Sequence, residues 1–341
     1  MNSISPRERL LRSLGGKTVD RPPVICPGGM MNAAVVDVMT SGIYKLPEAH
    51  HDPDLMSGLA GNVQRETGFE NFGIPFCMTV EAESLGSEVD YGSLECEPKI
   101  GREPFPSVKE VEFRPRGVIG RTARAEAVIE AITSLSREYE DIPAIGSVTG
   151  PLSTAASIVD PMPFLKDLRR EKDAAHRVLD YVCGELEDYA RLMVEGGASV
   201  ISIADPTATG EILGPKIFRE FALPYLNRLA DAVHAAGVPV IIHICGNVRS
   251  IKSELALLRG DALSVDAMVN LKALKGETPG ITTMGNLSTY LLEFGNEGSV
   301  GKSVRALMNQ DIDIMAPACG LSTSTPIENI RAFTSAVRET G

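Results

Sequence analysis

The chain has 341 residues, 43% hydrophobic and 23% charged, which is enough apolar content for a large core in one domain of α/β-barrel size. Its net charge of −12 repels nucleic-acid phosphates, and no stretch reaches the ~18 apolar residues that a bilayer span needs, so neither nucleic acid nor membrane is an expected partner. The opening MNSISPRERLLRSLGGKTVDRPPV lacks an apolar leader segment, which points to the cytoplasm, where thiols stay reduced.

In chain order, short β-branched runs alternate with long helix-period stretches, the signature of a parallel sheet with crossover helices. Strands are predicted at 22–26, 72–80, 144–148, 200–204, 239–243, 262–265, 281–284 and 312–316. Helices are predicted at 122–139, at 163–196 in one or two pieces, at 215–236 with Pro215 in the first turn, and at 326–337. Gly196, Gly197 and Gly237 supply helix ends. Residues 83–113, rich in Gly, Pro, Glu and Ser, break the rhythm. They predict a small β-rich excursion between strands two and three, with short runs at 88–91 and 95–98. No linker or repeat divides the chain, so one domain over 1–341 is expected. Eight strand–helix units suggest a closed (β/α)8 TIM barrel, with an open doubly wound sheet as the alternative. No GxGxxG follows the first strand and no GxxxxGK[ST] occurs, which weighs against a nucleotide.

Six cysteines (Cys26, Cys77, Cys96, Cys183, Cys245 and Cys319) show no disulfide framework. Cys183 lies in a helical pattern and reads as core. In VPVIIHICGN, His243 and Cys245 are two residues apart, so on a strand both point to one side, just before the turn at Gly246. Cys319, in DIDIMAPACG, lies just past the last strand. Three N/S ligands on separate strand ends, with a fourth position open, form the pattern of a catalytic zinc; a structural zinc more often shows CxxC pairs, and none occurs. An isolated HxC is also common among buried residues, and it is the strand-end placement of all three that raises the zinc reading.

Asp266, after strand six, is either a displaceable oxygen ligand or a helix cap. Asp205, closing strand four, either orients substrate or a metal-ligand histidine, or caps the next turn. Glu81 and Asp205 are the catalytic candidates among the strand-end acids, with Glu83 nearby. Ser147, Thr149 and Asn286 are pocket polar groups at other strand ends, and Met30 and Met31 line an apolar mouth or simply pack.

The succession VISIADP, HICGN, LSVD and APACG resembles the methylcobamide:coenzyme M methyltransferases, corrinoid-dependent members of the uroporphyrinogen decarboxylase superfamily. The likeness runs from RERLLRSLGGKTVDRPPV to TPIENIRAF and includes LPEAHHDPDLMSGLA and PFCMTVEAESLGSEVDYG. It implies a (β/α)8 barrel, His243, Cys245 and Cys319 as zinc ligands, and Asp266 at an acidic ligand position. It further implies methyl transfer from a methylated corrinoid, carried by a corrinoid protein, to a zinc-activated thiol such as coenzyme M. Tetrahydrofolate as acceptor, or loading of the corrinoid from a methyl donor, are alternatives within the same family. The decarboxylase branch is disfavoured because CPGGMMNAA carries no arginine to hold substrate carboxylates. A zinc aldolase or hydrolase would favour His and carboxylate ligands, and a non-catalytic zinc- or corrinoid-binding protein would close the fourth position. Arg249 and Lys252 are candidates for holding an acceptor sulfonate.

Overall fold

The computed structural model describes residues 4–278 and 280–340. Its strands are β1 (Phe72–Ile74), β2 (Glu88–Asp90), β3 (Lys99–Arg102), β4 (Ala144–Thr149), β5 (Val200–Ala204), β6 (Val240–Ile244), β7 (Ala262–Val265), β8 (Thr282–Leu287) and β9 (Ile314–Pro317). Seven form one parallel sheet in the order β1-β4-β5-β6-β7-β8-β9, while β2 and β3 make a separate antiparallel ribbon. All residues of β4 to β9 are buried, which explains their continuous apolar runs. Since the strands are parallel, Thr149, Asp205, Cys245, Asp266 and Cys319 all lie at or just beyond strand C-termini, on one rim.

The eight-stranded sheet expected from the sequence is replaced by seven strands among the described residues. Segment 22–26 forms no ladder. Val24 makes one parallel bridge to Met315 of β9, and its carbonyl accepts from Glu70 N at 2.9 Å. The Asn71 side chain completes the pairing, accepting from Cys26 N and donating to Cys26 O, both at 2.9 Å. Pro22, Pro23 and Pro27 remove the donors that a longer ladder requires. The second expected strand, 72–80, stops at Ile74 ahead of Pro75, and its last residue begins the helix Val80–Ser84.

The helix predicted at 122–139 spans Ala123–Glu138. The stretch 163–196 forms two helices, Pro161–Arg170 and Lys172–Glu195. The stretch 215–236 is interrupted: Gly214 (φ 65°, ψ 170°) kinks the helix Gly210–Ile217, a π-type turn follows at Phe218–Ala222, and Leu223–Ala235 completes the run. Pro215 starts the second segment, where its fixed φ suits a first turn. The excursion is a β-ribbon as expected, but 95–98 is not one of its strands. A tight Ser93–Cys96 bridge turns the chain there and β3 begins at Lys99. Among the described residues no helix is long and apolar enough to cross a membrane.

Candidate metal centre

His243 stands on β6 with its side chain fully buried, and Cys245 follows one residue past the strand end. Cys319 follows β9 by two residues. One ligand atom from each of the three lies within 4.8 Å of the other two. His243 Nε2 is 3.0 Å from Cys245 Sγ, and the two sulfurs are 3.1 Å apart. The other ring nitrogen, Nδ1, lies 2.9 Å from Ser264 Oγ, whose residue pairs with His243 in the β6–β7 register. A serine at that place locks the imidazole and leaves Nε2 facing the sulfurs. The contact between the two sulfurs lowers the Cys319 thiol, with His243 helping, and the same contact together with burial raises the Cys245 thiol.

The remaining sequence candidates distribute as follows. Met30 joins the centre, its Sδ 3.7 Å from Cys245 Sγ. Met31 is buried beneath it, its carbonyl accepting from Cys26 Sγ at 2.6 Å. Asp266 is not part of the three-residue group, and its Oδ1 accepts from Met268 N at 3.2 Å; its charge nevertheless adds to the rise at Cys245. Asn286 donates to the carbonyls of Asp266 and Val269, both at 2.8 Å, and so pins the loop after β7.

Asp205 is fully buried and caps the helix Pro151–Ile158, accepting from Leu152 N (2.9 Å), Ser153 N (2.9 Å) and Ser153 Oγ (2.6 Å). Burial pushes its carboxyl up to about 6. Glu81 is also buried and accepts from Thr149 N (2.8 Å) and Thr149 Oγ1 (3.0 Å), with burial raising its pKa. Ser147 Oγ donates to Pro27 O at 3.4 Å. Lys252 is engaged by Glu277 at 2.8 Å.

The sequence reading overlooked three participants. Ser264 carries a signal, being the one hydroxyl in the apolar run ALSV, but its partner depends on strand register. Arg124, buried, donates to Glu83 Oε2 (2.6 Å) and Cys77 Sγ (2.7 Å) and lies 5.2 Å from the Tyr91 ring, fastening one end of the excursion. Glu97, in the connection between β2 and β3, accepts from Asn32 Nδ2 at 2.8 Å. No local pattern links Asn32 to Glu97 in sequence.

A parallel α/β sheet with an imidazole and two thiols converging at its C-terminal rim defines an enzyme-type scaffold with its chemistry at the strand ends. The uroporphyrinogen decarboxylase (URO-D) family model matches residues 5–340, and the chain belongs to that family. Within it, the chain is 31% identical over 340 residues to the methylcobamide:CoM methyltransferase MtaA of Methanosarcina barkeri, covering 98% of each. It is 32% identical over 333 residues to MtbA of Methanosarcina acetivorans, covering 97% of each. These relatives place it among the methyltransferase enzymes. Uroporphyrinogen decarboxylase of Thermus thermophilus is 25% identical, with 97% of each chain covered. A solved methyltransferase from Methanosarcina mazei matches with a TM-score of 0.92 at 30% identity, covering 99% of both chains. A B12-independent methionine synthase from Shewanella sp. W3-18-1 matches at 0.58 and 12% identity, a likeness of fold alone.

Proposed function

We propose that the chain transfers a methyl group from a methylated corrinoid, carried by a partner corrinoid protein, to a thiol acceptor, with a zinc ion held by His243, Cys245 and Cys319. The observation that carries this reading is the convergence of the three ligand atoms within 4.8 Å from β6 and from beyond β9. The donor set fits zinc: one imidazole nitrogen and two soft sulfurs, with no fourth protein ligand among the described residues. Bound zinc would supply the Lewis acidity that makes an acceptor thiol lose its proton near neutral pH.

The chain's own residues do the rest. Ser264 Oγ, 2.9 Å from Nδ1, holds the His243 ring with Nε2 toward the sulfurs. Two cysteinates bring negative charge to the centre, which favours a sulfur acceptor that must remain nucleophilic (an argument from ligand charge). Met30 gives the centre an apolar neighbour. Segment 22–26, bridging toward β9 and Glu70, serves as the eighth stave of a closed barrel, and 1–341 acts as one catalytic unit in the cytoplasm. The loop 26–34 contains no arginine, which argues against decarboxylation of an acidic tetrapyrrole.

The experiment measures bound zinc, then mixes the protein with methylcobalamin and either a thiol or tetrahydrofolate. The expected result is one zinc per chain and loss of the methyl–cobalt absorbance with the thiol, with the thioether as product. Turnover with tetrahydrofolate alone would overturn the thiol assignment. Absence of zinc after metal-replete purification would overturn the centre.

A further inference from the structure

The chain is acidic overall, with a net charge of −12, yet one face at its strand-end side is cationic. The helix Lys172–Glu195 runs down to the start of β5, and its 24 residues make it ~36 Å long, against ~20 Å for a six-residue strand such as β4. Its first turns therefore stand above the strand ends, on the side of the rim that carries the metal centre. The helix Gly210–Ile217 leaves β5 on that same side. Its start is tied to the loop that follows Cys245: Ser250 Oγ donates to Gly210 O at 3.1 Å, and a Cβ on Gly246 would stand 3.2 Å from Glu211 Oε2.

The far half of that helix floors a cavity of about 390 Å³. Leu213, Pro215 and Ile217 make the floor apolar, and Arg169, Lys172 and Lys216 stand round it. A second cavity, of about 590 Å³, shares Arg169 and Lys172 with the first and adds Lys109, Arg170 and Arg177. Two carboxylates, Glu171 and Asp173, line the pair. Lys109 is taken by Glu171 at 2.6 Å and Lys172 by Glu220 at 2.5 Å. Arg169, Arg170, Arg177 and Lys216 are exposed, and among the described residues they form no ion pair.

Unneutralised like charges repel one another in the free chain, and an acidic surface laid over them relieves that repulsion. The cations are spread over the β2–β3 excursion and three helices, and none is enclosed. That layout suits an extended protein face better than a small anion, which needs donors converging on one point. Elsewhere the acidic chain repels an acidic partner, so a single basic face also fixes how such a partner is oriented on the rim.

We propose that this face, centred on Arg169, Arg170 and Lys216, is the docking surface for an acidic partner protein, the carrier that brings the methylated corrinoid to the rim. The identity of the partner rests on the transfer reading above; the acidic character rests on the cations.

The test uses the full-length, zinc-loaded protein in three forms. They are wild type, a patch variant (Arg169→Glu/Arg170→Glu/Lys216→Glu), and a control (Lys17→Glu/Arg137→Glu/Lys302→Glu) that changes net charge equally at exposed cations on other elements. Fluorescein-labelled poly-L-glutamate is the acidic probe, titrated by anisotropy at ~50 mM and ~200 mM salt, with polyuridylate alongside. Methyl transfer to a thiol is followed from free methylcobalamin and from methylcobalamin reconstituted on a recombinant acidic corrinoid protein. Wild type and control are expected to bind poly-L-glutamate, and more tightly at the lower salt. The patch variant is expected to bind it ~10-fold or more weakly and to show a KM for the protein-bound corrinoid raised by a similar factor. Turnover of free methylcobalamin, which needs no docking, should be level in all three. Equal poly-L-glutamate binding by patch variant and control, or an unchanged KM for the protein-bound corrinoid, overturns the docking assignment and leaves the transfer reading intact. Tighter binding of polyuridylate than of poly-L-glutamate at this face overturns it in favour of nucleic acid. Absence of turnover of free methylcobalamin by wild type overturns the transfer reading and the carrier with it, and the poly-L-glutamate titration then decides the acidic character alone.

Discussion

Each ligand of the centre is held by a different local device, and the devices differ in what their loss should cost. Cys319 sits on a turn after β9 and contributes one of the two soft donors. Replacing its sulfur with a hard hydroxyl in Cys319→Ser is expected to lower zinc affinity by ~10–100-fold or more, read from competition with a chromogenic chelator. Unchanged affinity would remove Cys319 from the ligand set. Ser264 touches no ligand position itself and acts through the ring of His243, 2.9 Å from Nδ1. Without that hydroxyl the ring orientation loses its anchor and Nδ1 loses its partner. Ser264→Ala should therefore weaken zinc binding by about tenfold, a smaller loss than at Cys319. It should also shift the ¹⁵N tautomer signature of His243. A change in thermal stability with neither of these would mean that Ser264 is only packing.

Among the elements, agreement between sequence and structure follows from how each boundary is made. β5 and β7 occupy the expected spans because a buried, mostly apolar run ends abruptly at an acid, Asp205 or Asp266. Segment 22–26 bridges β9 at Val24 without extending into a ladder, because the flanking prolines and the Asn71 side chain decide the hydrogen bonding. The 215–236 helix is interrupted at Gly214 and again by the π-type turn, neither of which disturbs hydrophobic periodicity. The helix Pro151–Ile158 shows how an acid ending one strand serves the next element, since Asp205 accepts from the first amides of that helix. This arrangement has a pH signature. The ordinary carboxyl value is 3.8, and burial brings Asp205 to about 6 in the folded chain. The folded state therefore holds the proton more tightly than the unfolded state. Stability contributed at this site is greatest below 3.8, falls as pH rises toward about 6, and is level above. The loss is on the order of 2–3 kcal/mol. Asp205→Asn should flatten that portion of the urea midpoint plotted against pH, and parallel profiles for the two proteins would refute the shift.

At the scale of the molecule, the centre joins parts of the sheet that chain order keeps apart. In the sheet β7 and β8 lie between β6, which carries His243, and β9, which precedes Cys319. The ligand trio was legible in the sequence because strand ends of a parallel sheet share a rim, so counting strands sufficed. Ser264 and Glu97 were not, because one depends on inter-strand register and the other on the path of an excursion with little periodicity. The same long-range closure would make a bound zinc a brace of the fold. In the unfolded chain His243 and Cys245 remain neighbours but Cys319 is remote, so the unfolded state binds the ion more weakly than the folded state. Ligand binding to the native state alone stabilises it by about 2.7 kcal/mol at a concentration 100 times the dissociation constant. For a chain of this size that corresponds to a rise of several degrees in Tm. Calorimetric scans of wild type with zinc, against the same protein after chelation, should show that rise, and Cys319→Ser should lose most of it. An equal rise in both proteins would trace the effect to zinc bound elsewhere, and no rise in wild type would mean that β6 and β9 are not joined by the ion.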